Sequence, residues 1–402
     1  MAERETQLCI VGGGPAGMMA GLLFARAGVR TVVLEKHGDF LRDFRGDTVH
    51  PSTMEILDQL GMLGRFLERP HDRLYDARGT ISGKEYRIAD VSHLRTPAPF
   101  IAMMPQWHFL DFLRDEAAVY PDFTLEVRAP VVGFIQGAGR VEGVRLEGGG
   151  ELRASLTIAA DGRSSLARSL LPVEKLGAPM DVFWFRVPKP AKSEHALRGI
   201  VAPGTLMALI DRGDYWQVAY AFAKGTGARL RAGGIEALRS RIEKAAPILG
   251  PLRDVLIDMD QMHLLTVALD RLTQWHRPGL LAIGDAAHAM SPVGGIGINL
   301  AVQDAVAAAN ILAGPLAEGR DPNLLLHKVE ARRLFPTRII QAGQKRAQEA
   351  IIGAVLDPRR TTLSAPRAVR LLDRLPILRR IPGRIIGLGV RRERVRSPEA
   401  RR

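Results

Sequence analysis

The feature that most constrains this chain is a glycine pattern, Gly12-x-Gly14-x-x-Gly17, that lies between apolar segments. The segments around it are typical of a buried strand at 6–11, a helix at 15–27 and a second buried strand at 31–34. A β-α-β unit with a tight glycine turn is the usual start of a parallel sheet. The sequence therefore predicts an α/β fold with a Rossmann-like domain at its N-terminus.

Glycines at this spacing let a backbone approach phosphate groups closely. Gly12 permits the tight turn, Gly14 gives access to a diphosphate, and Gly17 allows the helix to pack on the strand. The helix N-terminus adds amide N–H groups and a positive dipole, and Glu35 can accept hydrogen bonds from a ribose. A plain glycine-rich turn is the alternative, and the pattern does not separate NAD from FAD. The predicted dinucleotide site comprises Gly12, Gly14, Pro15, Ala16, Gly17, Glu35 and Lys36.

Composition excludes several functional classes. Cys9 is the only cysteine, so neither an intramolecular disulfide nor a cysteine metal cluster is possible. The sequence shows no Ser-His-Asp pattern and no metal-ligand spacing, so no metal is expected. It has no uninterrupted apolar run of about 18 residues and no secretory signal pattern. We therefore expect no membrane-spanning helix and a cytoplasmic location.

Positive charge is concentrated at the C-terminus. Residues 359–402 contain 14 arginines and three acids, which account for +11 of the net charge of +13. The remaining 358 residues are nearly neutral, so nucleic-acid binding is not predicted. Arginine alternates with Leu and Ile between 375 and 396, which fits either a solvated, frayed tail or a peripheral contact with an anionic membrane or acidic partner.

Three further motifs follow the glycine pattern. They are Phe44-Arg45-Gly46-Asp47 with Pro51 beginning the next helix, Asp161-Gly162-Arg163-Ser164-Ser165, and Gly284-Asp285-Ala286-Ala287-His288 continuing to Asn299. By these motifs, their order and their spacing over about 300 residues, the chain resembles the single-component FAD-dependent aromatic hydroxylases. These are flavoprotein monooxygenases related to para-hydroxybenzoate hydroxylase.

The resemblance implies a set of FAD contacts. Arg45 would reach the phosphate–ribose region, Asp161 would serve FAD and NAD(P)H binding, and Asp285 would hold the ribityl chain. Gln106 matches a ribityl-contacting glutamine, and Val132 lies in the strand placed against adenine. The loop and helix N-terminus that would face the isoalloxazine comprise Pro292, Gly295, Gly297, Ile298 and Asn299.

The resemblance also implies a reaction. It is hydroxylation of an aromatic or polyketide-like small molecule through a flavin C4a-hydroperoxide, with NADH or NADPH as transient electron donor and O₂ as oxidant. Epoxidation and Baeyer–Villiger oxidation on the same scaffold remain open. Two rivals are an FAD-dependent reductase or halogenase, although the Trp-x-Trp-x-Ile-Pro signature is missing, and a non-catalytic FAD-binding scaffold. No residue is predicted to be catalytic, and the oligomeric state stays open.

Hydroxylation of this kind needs a pocket that excludes water, because water promotes loss of peroxide from the flavin C4a-hydroperoxide. Alternating strands between 176 and 270 carry large apolar side chains that can form one wall. For each of these apolar side chains a core position is the alternative. His50 and His288 are the histidines nearest the presumed flavin, where either would be a proton donor or a substrate contact, and a capping or turn role is the alternative for each. The pocket candidates are His50, Trp184, Met207, Trp216, Tyr220, Pro292, Val293 and Gly294.

The chain is predicted to leave the nucleotide fold, build a second sheet and return. The FAD-binding domain is expected at 1–72, 101–175 and 276–320, and an inserted antiparallel-sheet substrate domain at 73–100 and 176–275. Residues 321–402 are expected to form a basic, helical C-terminal segment.

Overall fold

The first half of the chain contains a βαβ unit, short helices and several hairpins. The computed structural model describes residues 4–41, 48–189, 197–292, 294–355 and 362–400. Up to residue 175 its elements are β1 (Arg4–Val11), α1 (Pro15–Arg26), β2 (Thr31–Leu34), β3 (Thr48–Val49), α2 (Pro51–Gln59), α3 (Leu63–Leu67), β4 (Asp72–Leu74), β5 (Asp76–Ile81), β6 (Lys84–Asp90), β7 (Ile101–Met103), α4 (Gln106–Ala117), β8 (Phe123–Glu126), β9 (Val131–Gly137), β10 (Arg140–Leu146), β11 (Glu151–Ala159) and β12 (Val173–Lys175).

The second half begins with long antiparallel strands and ends in helices. Its elements are β13 (Met180–Pro188), β14 (Leu197–Ala202), β15 (Thr205–Asp211), β16 (Tyr215–Ala223), α5 (Gly227–Ala232), α6 (Gly234–Ala245), β17 (His263–Leu265), β18 (Asp270–Leu272), β19 (His276–Arg277), β20 (Leu280–Ala282), β21 (His288–Ala289), α7 (Gly297–Ala317), α8 (Leu326–Val355), α9 (Arg367–Arg374) and α10 (Arg380–Leu388).

A largely parallel sheet organises the nucleotide part of the fold. Its strand order is β19-β20-β11-β1-β2-β8, with the β9–β10 hairpin attached antiparallel to β11. The central strand β1 pairs in parallel with β2 and β11, and its last four residues are buried, as expected for a strand covered on both faces. The predicted α/β fold with a Rossmann-like unit is confirmed.

Helix α7 packs against α1 in the core of this domain. By length and composition it could cross a membrane, but 72% of its most apolar stretch of 18 residues is buried inside the protein. An apolar helix buried in this way is also expected in the core of a large globular domain.

A second sheet of seven strands has the order β17-β13-β16-β15-β14-β5-β6. All of its pairs are antiparallel except β14 with β5. The strands β5 and β6 precede α4 in the chain, whereas the other five follow residue 175, so this sheet is assembled from two separate segments. Helix α6 covers one face of the sheet, with Leu238 and Ile242 in a shared apolar core.

Two elements differ from the periodicity. The spacing of apolar residues over 51–68 is typical of one helix, but the segment is divided into α2 and α3, because Gly61 adopts a left-handed conformation with φ of +69°. The apolar pattern over 124–135 is typical of one strand, but it is divided into β8 and β9. Arg128 has a φ of +54° there, and Pro130 lacks the N–H that a continuous ladder requires.

The C-terminal residues do not form the solvated, frayed tail that was one expectation. Glu393 is only 5% exposed and accepts hydrogen bonds from Arg332 at 2.7 Å and from the fully buried Arg333 at 3.2 Å. Further along, the Ala400 N–H donates to the carbonyl of Arg26 at 2.9 Å. Because arginine is so frequent in this part of the sequence, the sequence did not indicate that Glu393 neutralises the buried guanidinium of Arg333 in α8.

Replacing Glu393 by Gln is expected to lower the free energy of unfolding by about 3 kcal/mol, because it leaves a buried guanidinium without one of its anionic partners. Urea denaturation followed by tryptophan fluorescence measures this. The matched control is Glu399→Gln, which breaks the exposed pair with Arg26 and should change stability by less than about 0.5 kcal/mol. Equal stability of the two variants would contradict the structural role of Glu393.

Candidate functional site

The glycine loop after β1 is packed too closely for any other residue at two of its positions. Gly12 has a φ of +104°, and a Cβ there would lie 2.5 Å from the carbonyl oxygen of Ala160. A Cβ on Gly17 would lie 1.9 Å from the carbonyl oxygen of Gly12. These contacts press the loop against the end of β11 and the first turn of α1, as the glycine spacing predicts.

Gly14, in contrast, faces open space. A Cβ at Gly14 would have no heavy atom within 4 Å, and the residue is the N-cap of α1 with extended backbone. Pro15 is the first helical residue, and the first bond of the helix runs from the Met18 N–H to the Gly14 carbonyl at 2.9 Å. The amides of Ala16 and Gly17 therefore lack partners within the helix and are available to a diphosphate.

Glu35 lies directly after β2 and is 8% exposed. Its carboxylate accepts the N–H of Gly13 at 2.9 Å and the N–H of His37 at 3.0 Å, so it fixes the glycine loop relative to β2. Its carbonyl accepts the N–H of Ala129 at 2.9 Å, which brings the start of β9 alongside. Val132, in that strand, is 55% exposed, and its contact with adenine stays a prediction.

Asp161 follows β11 and contributes an orphaned polar atom. Its Oδ2 accepts the N–H of Leu166 at 3.0 Å, whereas its Oδ1 is buried without a hydrogen-bond partner in the described chain. Burial raises the pKa of Asp161, although the hydrogen bonds from Ser165 and Leu166 and the charge of Lys36 oppose the shift. A buried acceptor without a partner is costly unless a ligand supplies the donor, so Asp161 fits a role in cofactor binding.

The turn that carries Asp285 is held between two helices. A Cβ on Gly284 would lie 3.0 Å from the Cβ of Ala16 in α1 and 3.2 Å from the Cβ of Ala301 in α7. The Asp285 carboxylate accepts a hydrogen bond from Arg163 at 3.2 Å, and each of the two side chains is about one-third exposed. The glycine loop follows β1, the Asp161 loop follows β11 and the Asp285 turn follows β20. These three segments are far apart in sequence but meet at the carboxyl ends of neighbouring parallel strands, which we call the cofactor edge of the sheet.

A buried charge cluster supports this turn from behind. Asp304 in α7 accepts the N–H of Gly284 at 3.1 Å, Nε2 of His288 at 2.5 Å and Nε of Arg333 at 2.8 Å. Burial alone would raise the pKa of Asp304, but the charges and hydrogen bonds of His288 and Arg333 outweigh it and lower the pKa. His288, predicted near the flavin, is thus a fully buried partner of Asp304.

Sequence reasoning did not single out Asp304 or Arg333. One signal was available, since Asp304 is the only charged residue in the largely apolar helix α7. An isolated acid in such a helix indicates a buried partner. Its partner Arg333 lies in α8 among many other charged residues, so nothing local distinguishes it.

The loop before α7 is tied to β3 and α2. Gly295 has a φ of +62°, and a Cβ there would lie 2.4 Å from Oγ1 of Thr48, which donates to the Gly295 carbonyl at 2.9 Å. Oδ1 of Asn299 accepts the His50 N–H at 2.8 Å and the Thr53 hydroxyl at 2.7 Å. The side chain of Asn299 therefore positions the start of α2, and the predicted flavin contacts at Gly297 and Ile298 lie in the first turn of α7.

His50 is fully buried next to this loop. Its Nδ1 donates to the carbonyl of Ile386 in α10 at 2.8 Å, and its Nε2 has no partner among the described residues. Burial lowers the pKa of His50 to about 4, with the bond to Ile386 opposing the shift. The imidazole is therefore neutral at physiological pH and cannot act as a cationic proton donor there.

Three of the predicted pocket residues lie on the wrong face of the second sheet. Met207, Trp216 and Tyr220 are at most 2% exposed and belong to the core beneath α6. Strand alternation places Leu206, Ala208 and Ile210 on the opposite face, where they are half-buried. Trp184 lies on that second face, in a cluster with Ile352 of α8. The sequence showed the alternation but not which face α6 would cover.

Of the other predicted residues, the structure describes four and leaves two outside its described ranges. Gln106 is the first residue of α4 and is half-buried, as is Pro292, while Gly294 and Lys36 are exposed. Arg45 and Val293 lie outside the described residues.

Comparison with known proteins agrees with this geometry. A family model described as FAD binding domain matches residues 5–343. A 6-methylpretetramide 4-monooxygenase from Streptomyces rimosus is 32% identical over 408 residues, covering 98% of this chain and 94% of that protein.

Solved structures share the fold. The OxyS anhydrotetracycline hydroxylase from Streptomyces rimosus has a TM-score of 0.73 at 24% identity and covers 97% of this chain and 77% of that one. PqsL, a probable FAD-dependent monooxygenase from Pseudomonas aeruginosa, has a TM-score of 0.74 at 20% identity, with coverages of 89% and 98%.

The glycine loop, the Asp161 loop and the Asp285 turn form a dinucleotide-binding cradle, and a second, mostly antiparallel sheet is present. Together with the family match, this architecture identifies the chain as an FAD-dependent oxidoreductase. More narrowly, it belongs to the FAD-binding domain family and is a flavoprotein monooxygenase. The predicted resemblance to the para-hydroxybenzoate hydroxylase-like enzymes is confirmed, and FAD is the cofactor.

The open space at Gly14 gives a direct test of the diphosphate position. Gly14→Asp and Gly14→Asn both provide a good N-cap, so both variants should fold as stably as the wild type. If the diphosphate lies at Gly14, the added carboxylate should weaken FAD affinity at least about tenfold more than the amide does, because like charges repel. Flavin fluorescence quenching measures the two dissociation constants. Equal affinities for the two variants would place the diphosphate elsewhere.

The depressed pKa of His50 makes stability depend on pH. In the unfolded chain this imidazole takes up a proton near its ordinary pKa of 6.5, and in the folded chain only near 4, so stability is lost as pH falls through this interval. His50→Asn keeps a donor toward Ile386 but does not titrate. Between pH 7 and pH 4 the wild type should lose up to about 3 kcal/mol relative to this variant in urea denaturation. Parallel pH profiles of the two proteins would show that His50 is not buried as described.

Proposed function

We propose that this monooxygenase hydroxylates an aromatic or polyketide-like small molecule, with NADH or NADPH as transient electron donor and O₂ as oxidant. A hydroxyl group that carries one atom of O₂ replaces an aromatic hydrogen, and the other oxygen atom leaves as water. NAD(P)H supplies two electrons as a hydride, and one proton from solvent completes the balance. The chemistry supplied by FAD, when bound, is hydride acceptance and activation of O₂. The protein residues bind and orient the cofactor and the substrate, and they exclude water from the pocket.

The observation that carries the proposal is an aliphatic sheet face beside the cofactor edge. Ile210 of that face packs against the apolar cluster that contains Met103 of β7, and also against the cluster that contains Ile352 of α8. Met103 pairs with Thr48, which in turn contacts Gly295 of the loop before α7. An apolar face that is connected in this way to the loop before α7 supports a substrate pocket that excludes water. Trp184 remains the predicted aromatic contact in that pocket.

The residues at the cradle have separable roles in this proposal. Gly14 and the N-terminus of α1 would hold the diphosphate, while Asp161 and the Arg163–Asp285 pair would offer hydrogen bonds to the sugar-alcohol part of FAD. The N-terminus of α7 presents the positive end of a long helix dipole. That dipole would favour negative charge on a cofactor bound beside it.

The substrate class is supported by the relatives. The Streptomyces rimosus protein is named for a monooxygenation of 6-methylpretetramide. A half-buried face of Leu206, Ala208 and Ile210 suits a flat apolar ring system.

The cytoplasm is the proposed location, since the single cysteine is fully buried within β1 and needs no oxidising compartment.

The test is substrate-stimulated oxidation of NAD(P)H by the purified holoenzyme, with a panel of simple phenols and fused-ring phenolic polyketides. The expected result is stimulation by the fused-ring compounds and a product that carries one oxygen atom from isotopically labelled O₂. A complete absence of NAD(P)H oxidation with every compound of the panel would favour a non-catalytic FAD-binding scaffold. A requirement for halide, with no labelled oxygen in the product, would favour a halogenase.

A pair of variants on one strand tests the face. Ala208→Phe should raise the KM for the substrate about tenfold or more and leave FAD affinity unchanged, because the ring would fill the pocket side. Met207→Leu, which changes the core beneath α6, should leave KM unchanged. Similar effects of the two variants would mean that the pocket lies elsewhere.

A further inference from the structure

The helices α9 and α10, with the turn between them, present an unusual outer surface. Its aliphatic side chains are exposed and nothing else in the described chain covers them, with Ile377 at 67%, Ile381 at 61% and Leu371 at 49%. Exposed arginines alternate with them. We call this surface the arginine–aliphatic face, and it comprises Arg367, Arg370, Leu371, Arg374, Leu375, Ile377, Arg380, Ile381, Arg384 and Ile385.

The inner side of the same segment is firmly attached to the protein. A Cβ on Gly383 would lie 1.8 Å from the carbonyl oxygen of Asp90, and a Cβ on Gly387 would lie 2.6 Å from Leu94. The carboxylate of Asp373 accepts the N–H of Arg87 at 3.1 Å. Close backbone contact on one side therefore fixes the orientation of the other side, and the exposed aliphatic residues are not required for the core.

The face has a single sign of charge. Between residues 362 and 391 the only acid is Asp373, which is half-buried and directed at β6. None of Arg367, Arg370, Arg374, Arg380 and Arg384 forms an ion pair with a residue that the structure describes. Five exposed guanidinium groups that have no carboxylate partner among the described residues attract an anionic surface.

The combination of side chains distinguishes the kinds of partner. Protein interfaces are enriched in aromatic residues as well as arginine, and the arginine–aliphatic face has no aromatic residue. Short amphipathic helices that expose arginine together with leucine and isoleucine are typical of segments that lie at the headgroup level of a bilayer. Clusters of four to eight basic residues on such helices bind anionic lipids.

We propose that the arginine–aliphatic face docks this enzyme peripherally on an anionic phospholipid bilayer. The arginines contact lipid phosphates, and the leucine and isoleucine side chains enter the boundary between headgroups and acyl chains. The docked segment is also joined to the candidate site, because the carbonyl of Ile386 in α10 accepts the hydrogen bond from His50. The binding itself does not depend on the proposed reaction.

Removing residues 375–402 would not be a clean test, because it also removes Glu393 from the core. Point variants avoid this problem. Ile377→Ser with Ile381→Ser removes apolar contacts, and Arg380→Gln with Arg384→Gln removes charge. Leu324→Ser, at a position 82% exposed before α8, and Arg320→Gln, at a side chain 61% exposed, are the matched controls.

The experiment is cosedimentation of the FAD-loaded full chain with vesicles of phosphatidylcholine alone or mixed with phosphatidylglycerol. We expect binding to the mixed vesicles at least about tenfold tighter than to phosphatidylcholine, and weaker at high salt. Each double variant should lose at least about tenfold in affinity, whereas the controls bind as the wild type does. Unchanged flavin absorbance and melting temperature confirm that the variants are folded.

Wild-type protein that stays in the supernatant with anionic vesicles at low salt would overturn the proposal. Retention on immobilised polyglutamate combined with failure to bind vesicles would also overturn it, in favour of an acidic protein partner. Equal vesicle binding by the double variants and the wild type would show that this face is not the docking surface. None of these outcomes depends on turnover.

Discussion

The structure depends on one buried anion. Asp304 is fully enclosed, and a carboxylate in that position is tolerated only because His288, Arg333 and the Gly284 amide all donate to it. Those three donors come from the turn that presents Asp285 and from the long helix α8. A single ionised side chain therefore fixes the position of a cofactor-binding turn relative to two helices, and Glu393 completes the charge balance by approaching Arg333.

Close backbone contact is the second constraint. Gly12, Gly17 and Gly284 each occupy a place where a Cβ would collide with, or press tightly against, neighbouring atoms, whereas the position of Gly14 is open. The same loop is thus rigid where it meets β11 and spacious where a diphosphate is expected. Asp161, with a buried oxygen that lacks a partner among the described residues, lies at the same edge. The shape of the cradle and its unmet hydrogen bond agree on one kind of ligand.

The arginines of the C-terminal region serve two different purposes. Arg333 is directed inward and holds the core together through Asp304 and Glu393, while Arg380 and Arg384 point outward beside exposed isoleucines. Net charge counts these groups equally, so the composition could not separate a structural guanidinium from one available to a partner. Their burial separates them, since a charge inside the protein must be paired and a charge at the surface need not be.

The sequence by itself determined the α/β start, the glycine cradle and the Asp285 turn, because these depend on local patterns of apolar periodicity and on backbone shapes that only glycine adopts. It also determined the alternation along β15 and β16. Only the tertiary structure decided that Met207, Trp216 and Tyr220 face α6 while Leu206, Ala208 and Ile210 lie on the opposite face, because the choice of face depends on which distant helix covers the sheet. The pairing of Asp304 with Arg333 was decided in the same way, since two charges become partners only when packing removes both from water.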